Sequence, residues 1–62
     1  MQEVIKILMW RDSLTKAEAM SLIEETRHAC ETAVAEGRTE EVENIFTEML
    51  GLEPDYIPDV LF

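Results

Sequence analysis

The stretch EETRH places Glu25 and His28 one helical turn apart. In di-iron helical bundles such a Glu-x-x-His pair aims a carboxylate and an imidazole at one metal. Two such pairs and two further glutamates complete those sites, and a homodimer could double a single copy. On a helical wheel, however, Glu25 and His28 fall opposite Ile23 and Cys30, on the side that faces water. They read as a solvated polar face, and no metal is expected. Cys30 lies within the apolar face of the same segment and reads as a small buried hydrophobe. A nucleophilic cysteine needs a base beside it, and His28, the one histidine, points elsewhere. A Ser-His-Asp set fails for the same reason. The paired acids Glu24-Glu25 and Glu40-Glu41 diverge by about 100° on a helix, so neither forms a dyad. Gly37 and Gly51 both stand at helix ends rather than in a phosphate-binding loop. The expectation is a protein that is not an enzyme, with no catalytic residue and no cofactor.

The segments that would position these groups are helical. From residue 2 to 12, Val4, Ile7 and Leu8 recur at helical spacing. Ile5, Met9 and Trp10 widen the apolar surface, and Gln2, Glu3, Lys6 and Arg11 interrupt it. A helix apolar on most sides needs contacts on more than one of them. VIKILMW would also suit a buried strand, but a lone strand has no pairing partner. Trp10 reads as a core residue or as an interface anchor, since Trp is enriched in interface hot spots.

Thr15 and Glu18 form a T-x-x-E capping box, with Leu14 and Ala19 flanking it as a small staple. The spacing predicts a helix over 16–36, ended by Gly37. Ala19, Met20, Ile23, Thr26, Cys30 and Val34 share one face, extended by Leu22, Ala29 and Ala33. A third helix is predicted over 40–50. Thr39 is its expected cap, and Glu40 and Glu41 oppose the positive end of its dipole. Val42, Ile45, Phe46, Met49 and Leu50 form its apolar face, Gly51 ends it, and Leu52 is set to fold back. The short link between the second and third helices makes them antiparallel neighbours.

The closing GLEPDYIPDVLF is read as a structural tail. Pro54 suits the first position of a helical turn. Pro58 lacks an N–H and would clash inside a continuous helix. Two short turns, near 54–57 and 58–61, are expected. Tyr56, Ile57, Val60, Leu61 and Phe62 are too apolar for a solvated tail. They are expected to pack on their own subunit or on a twin, with a docking peptide for another protein as the alternative.

Sixty-two residues make a single domain, 1–62, that buries only about 60% of its unfolded surface. One cysteine forms no bridge within a chain, which favours a reducing compartment. Oligomerisation is then the remaining source of stability. No apolar run reaches the roughly 18 residues of a membrane span, and no signal-peptide pattern opens the chain. A cytoplasmic protein is expected. Fourteen acids against five bases give a formal charge of −9. Nucleic acid and anionic membranes are disfavoured, because both recruit Lys and Arg. A basic protein partner is allowed, and plain solubility is the simplest use of the charge.

The stretch RDSLTKAEAMSLIEETR and the later EEVENIFTEMLGLEPDYIPDVL resemble a pattern in short acidic proteins of bacteriophages and prophages. Arg11-Asp12, Leu14-Thr15, Glu18-Ala19 and the run Leu50-Gly51-Leu52-Glu53-Pro54-Asp55-Tyr56 carry the resemblance, which spans most of the chain. It implies a mobile-element origin and no catalytic residue. Pro58 departs from that pattern, which more often continues as helix.

The fold expected is all-α: three helices, about 2–12, 16–36 and 40–50, plus a C-terminal turn, in an oligomeric helical bundle with a homodimer favoured. Its interface is expected among Val4, Ile5, Leu8, Met9, Trp10, Tyr56, Ile57, Leu61 and Phe62. The expected function is a non-enzymatic protein–protein interaction module that self-associates through apolar helix faces. The alternative is an acidic charge-mimic or antitoxin-like inhibitor of a basic host protein.

Overall fold

The computed structural model describes residues 2–61. Four α-helices follow in order: α1 (Gln2–Arg11), α2 (Lys16–Ala35), α3 (Val42–Leu50) and α4 (Ile57–Leu61). Short 3₁₀ turns at Thr39–Glu41 and Pro54–Tyr56 lead into α3 and α4. Among the described residues there is no strand, and no helix is long and apolar enough to cross a membrane.

The 20-residue α2 is the spine, with α1, α3 and α4 packed along it. Its start is fixed locally. Thr15 Oγ1 accepts from the Glu18 N–H at 3.1 Å, and Glu18 Oε1 accepts from the Thr15 N–H at 2.9 Å. This is the reciprocal capping box that T-x-x-E encodes. Its end is fixed as tightly. Gly37 takes a φ of +78°. The Gly37 N–H then donates to Val34 O at 3.1 Å and the Arg38 N–H to Ala33 O at 2.7 Å. That pair of bonds is a Schellman turn, and glycine adopts its left-handed residue without a Cβ penalty.

The chain reverses at both ends of α2. Ile5 lies beside Met20 and Ile23, and Met9 lies beside Lys16, so α1 runs antiparallel to α2. Arg11, at the end of α1, bonds the last carbonyls of α3. The end of α3 therefore returns to the start of α2, and those helices are antiparallel too. Between them sits one core of Val4, Leu8, Ala19, Ile23, Cys30, Phe46, Leu50, Leu52 and Val60. Thr26 is buried among them. Its hydroxyl donates to Leu22 O at 2.8 Å, so the polar group carries no unpaid desolvation.

Three expectations are corrected here. The helices number four rather than three, because residues 57–61 close into α4. Pro58 stands in its first turn, where a missing backbone N–H leaves no helical bond unmade. The third helix begins at Val42 rather than at residue 40. Thr39 lies inside a 3₁₀ turn and caps nothing with its side chain. On α2, Ala33 is fully buried while Met20 and Val34 are about half exposed.

The tail packs on its own chain. Leu52 and Val60 are buried, and Tyr56, Ile57 and Leu61 lie half-buried against the core. Phe62 lies outside the described residues.

Candidate functional site

The residues that sequence chemistry singles out do not converge. Glu25 and His28 are exposed on the outer side of α2. Cys30 is buried, its thiol 3.8 Å from the Val42 carbonyl oxygen, and burial pushes its pKa above the usual thiol range. A desolvated thiol with no base beside it is a packing group. Among the described residues no three His, Cys, Asp or Glu side chains are grouped to hold a metal ion.

The candidate interface residues lie at three depths. Val4 and Leu8 have no exposed surface and belong to the subunit's own core. Tyr56, Ile57 and Leu61 are half taken up by that core. Met9 and Trp10 are exposed on α1, Trp10 at 87%, and Ile5 beside them is half-buried against the core. Met20 of α2, which the sequence reading placed on the core face, joins them outside.

These groups border two open hollows that share Ile5 as a wall. One, of about 430 Å³, is lined by Ile5, Lys6, Met9 and Lys16. The other, of about 40 Å³, is lined by Ile5, Met20, Ile23 and Glu24. Trp10 follows Lys6 by one turn on the same helix. A third hollow, of about 290 Å³, lies at the far end of α2 between Cys30, Glu31, Val34 and Leu61.

Charge sets the first pair of hollows apart. Arg11 pairs with Asp12, Arg27 with Glu24 and Glu31, and Arg38 with Glu36 and Glu41. The remaining two bases, Lys6 and Lys16, form no ion pair among the described residues. Both line the apolar hollow on the α1 side. A chain of charge −9 thus has its two uncommitted cations at the rim of an apolar depression. Helical spacing could have shown Lys6 beside Met9 and Trp10. The approach of Lys16 depends on how α1 folds back, which no local pattern encodes.

Comparison with protein-family models, with curated proteins and with solved structures gives no match.

Proposed function

We propose that this chain is a non-enzymatic protein–protein interaction module that self-associates, forming a homodimer through the face shared by α1 and α2. One observation carries the reading: Ile5, Met9 and Met20 border two apolar hollows that share Ile5 as a wall, on the helix pair whose Trp10 is 87% exposed. A large side chain left in water gains free energy when a partner covers it, at about 25 cal/mol per Å² of apolar area. Trp with flexible Met beside it is also the composition that interface centres favour. The size of the chain supports the same reading, since a domain this small gains stability from a second copy. The resemblance to bacteriophage and prophage proteins supports a mobile-element setting.

The test is sedimentation across a micromolar concentration series. A dimer that dissociates on dilution supports the proposal. A 7.1 kDa monomer throughout rejects it. Trp10 fluorescence gives a second readout, because burial of the indole shifts its emission to the blue.

A second reading is favoured by the charge distribution. Glu40, Glu43, Glu48, Glu53, Asp55 and Asp59 are all exposed on the α3–α4 part of the molecule. That acidity suits an inhibitor that occupies a basic site on a host protein, either as a charge mimic or as an antitoxin-like neutraliser. Salt separates the two. Binding by charge mimicry weakens steeply between low and high salt, whereas an apolar face holds.

A further inference from the structure

The α1–α2 face is polar at both ends and apolar between, and the two ends carry opposite charge. Lys16, Met20 and Glu24 stand at i, i+4 and i+8 on α2, so they form a row about 12 Å long at 1.5 Å per residue. Met9 lies against the Lys16 end of this row, and Ile5 lies against Met20 and Glu24. Lys6 lines the same hollow as Lys16 and adds a second positive charge there. The face is therefore basic at one end, apolar in the middle and acidic at the other.

A surface of this kind is complementary to itself under a two-fold rotation. In an isologous interface, residue i of one copy meets residue j of the other, and j meets i. An axis through the middle of the row lays Ile5 and Met20 on their counterparts. It also turns the basic end of each copy onto the acidic end of the other. A parallel placement about that centre sets lysine against lysine and glutamate against glutamate.

We propose that the occupant of this face is a second copy of the chain, docked antiparallel about a two-fold axis near Met20, with Lys16 and Lys6 of each copy facing Glu24 of the other. The proposal rests on the self-association argued above and adds its orientation. Glu24 reaches Arg27 at 3.2 Å within its own helix. That pair is solvent-exposed, and such pairs hold their partners weakly, so Glu24 is available to a second copy. The charges select the arrangement, and the apolar centre supplies the affinity.

The test is charge reversal at the two ends, read by sedimentation at low salt. Lys16→Glu leaves an acid at each end of the row, and Glu24→Lys leaves a base at each end. Each variant alone is expected to dimerise about tenfold more weakly than wild type, since each two-fold copy repeats the loss. An equimolar mixture of the two variants restores both cross-pairs and is expected to associate as tightly as wild type. Both positions are exposed, and an unchanged helical circular dichroism spectrum verifies that the variants fold. Met20→Cys gives an independent reading. It is expected to form a disulfide-linked dimer under mild oxidation faster than Glu25→Cys, which lies off this face.

A wild-type dimer whose affinity neither reversal changes overturns the orientation and leaves self-association standing. So does a mixture no tighter than its components, or equal cross-linking by the two cysteine variants. A wild-type monomer at all concentrations overturns both proposals together.

Discussion

Arg11, the last residue of α1, caps the end of α3 through Gly51. Its guanidinium donates to Gly51 O at 2.9 Å and to Leu50 O at 2.6 Å. The last turn of α3 holds no basic residue of its own. The positive charge that its dipole and free carbonyls favour comes instead from 40 residues away. Asp12 holds the same guanidinium from the other side, at 2.8 and 3.0 Å. The result is a clasp between the two ends of the chain's main fold.

Arg11→Ala should lower stability by roughly 1 kcal/mol, the worth of a charge-assisted bond reduced by solvent exposure. Arg11→Lys should recover only part of this, since an ammonium lacks the fork that spans two carbonyls. Urea unfolding at fixed protein concentration measures both. Equal stability of all three proteins would remove the clasp from the account.

Gly51→Ala should cost more, about 1–2 kcal/mol. Gly51 holds a φ of +66°, and a Cβ there would meet both terminal nitrogens of Arg11 at 3.3 Å. The cost therefore has a steric part that Arg11→Ala relieves. The double variant should be less destabilised than the sum of the single ones, and strict additivity in a double-mutant cycle would contradict the contact.

What was legible in the sequence and what was not separate along one physical line. The capping box at Thr15 and Glu18 is a local device, complete within four residues, and it forms as its spacing dictates. Gly37 and Gly51 are local in the same sense. Faces were less secure. Ala33 and Val34 are adjacent, and hydrophobicity alone favours Val34 as the core residue. The structure buries Ala33 and leaves Val34 half exposed, because where α3 lies on α2 decides which side of the wheel is inside. Arg11 gave no sign of its role, since its partners are distant in sequence. The two prolines were legible as two short turns near 54–57 and 58–61, and the chain forms a 3₁₀ turn at Pro54–Tyr56 and then α4, because Pro58 is tolerated in a first turn. Lys16 joined the candidate site only once α1 had folded back beside it.

The tail should be necessary for folding. Val60 is 1% exposed, and Tyr56, Ile57 and Leu61 pack against the same core. Burial of one such side chain contributes roughly 1.5–3 kcal/mol, against total stabilities that begin near 5 kcal/mol. Ending the chain after Glu53 should abolish the cooperative transition or lower Tm sharply. A truncated chain that melts like the parent, at matched concentration, would assign the tail to a docking role instead.

Cys30 should be silent toward thiol reagents until the core opens. Its side chain is buried, and its raised pKa leaves little thiolate at neutral pH. Labelling by an aromatic disulfide reagent should be slow in buffer and should accelerate through the urea transition. Rapid stoichiometric labelling of the native protein would show that the end of α2 opens far more readily than a core position should.

Acid should loosen the start of α2 and the Arg11 clasp first. The Glu18 carboxyl is held below its ordinary pKa by the Thr15 N–H and hydroxyl. The Asp12 carboxyl is held below its own by the hydrogen bond and charge of Arg11. Both groups bind protons more weakly folded than unfolded, so stability rises with pH while the unfolded chain carries the extra protons. Their contribution is therefore complete above the unfolded pKa values, near 4 for Asp and Glu, and is lost as pH falls through the lower folded values. Glu18→Gln can still accept from the Thr15 N–H through its amide oxygen, but it does not titrate. That variant should show a shallower loss of Tm between about pH 5 and 2, and Asp12→Asn should do the same at the clasp. Thermal melts followed by circular dichroism across that range measure the slopes. Acid profiles of both variants that run parallel to wild type would mean that other carboxylates govern acid unfolding, and that the capping box and the clasp play no part in it.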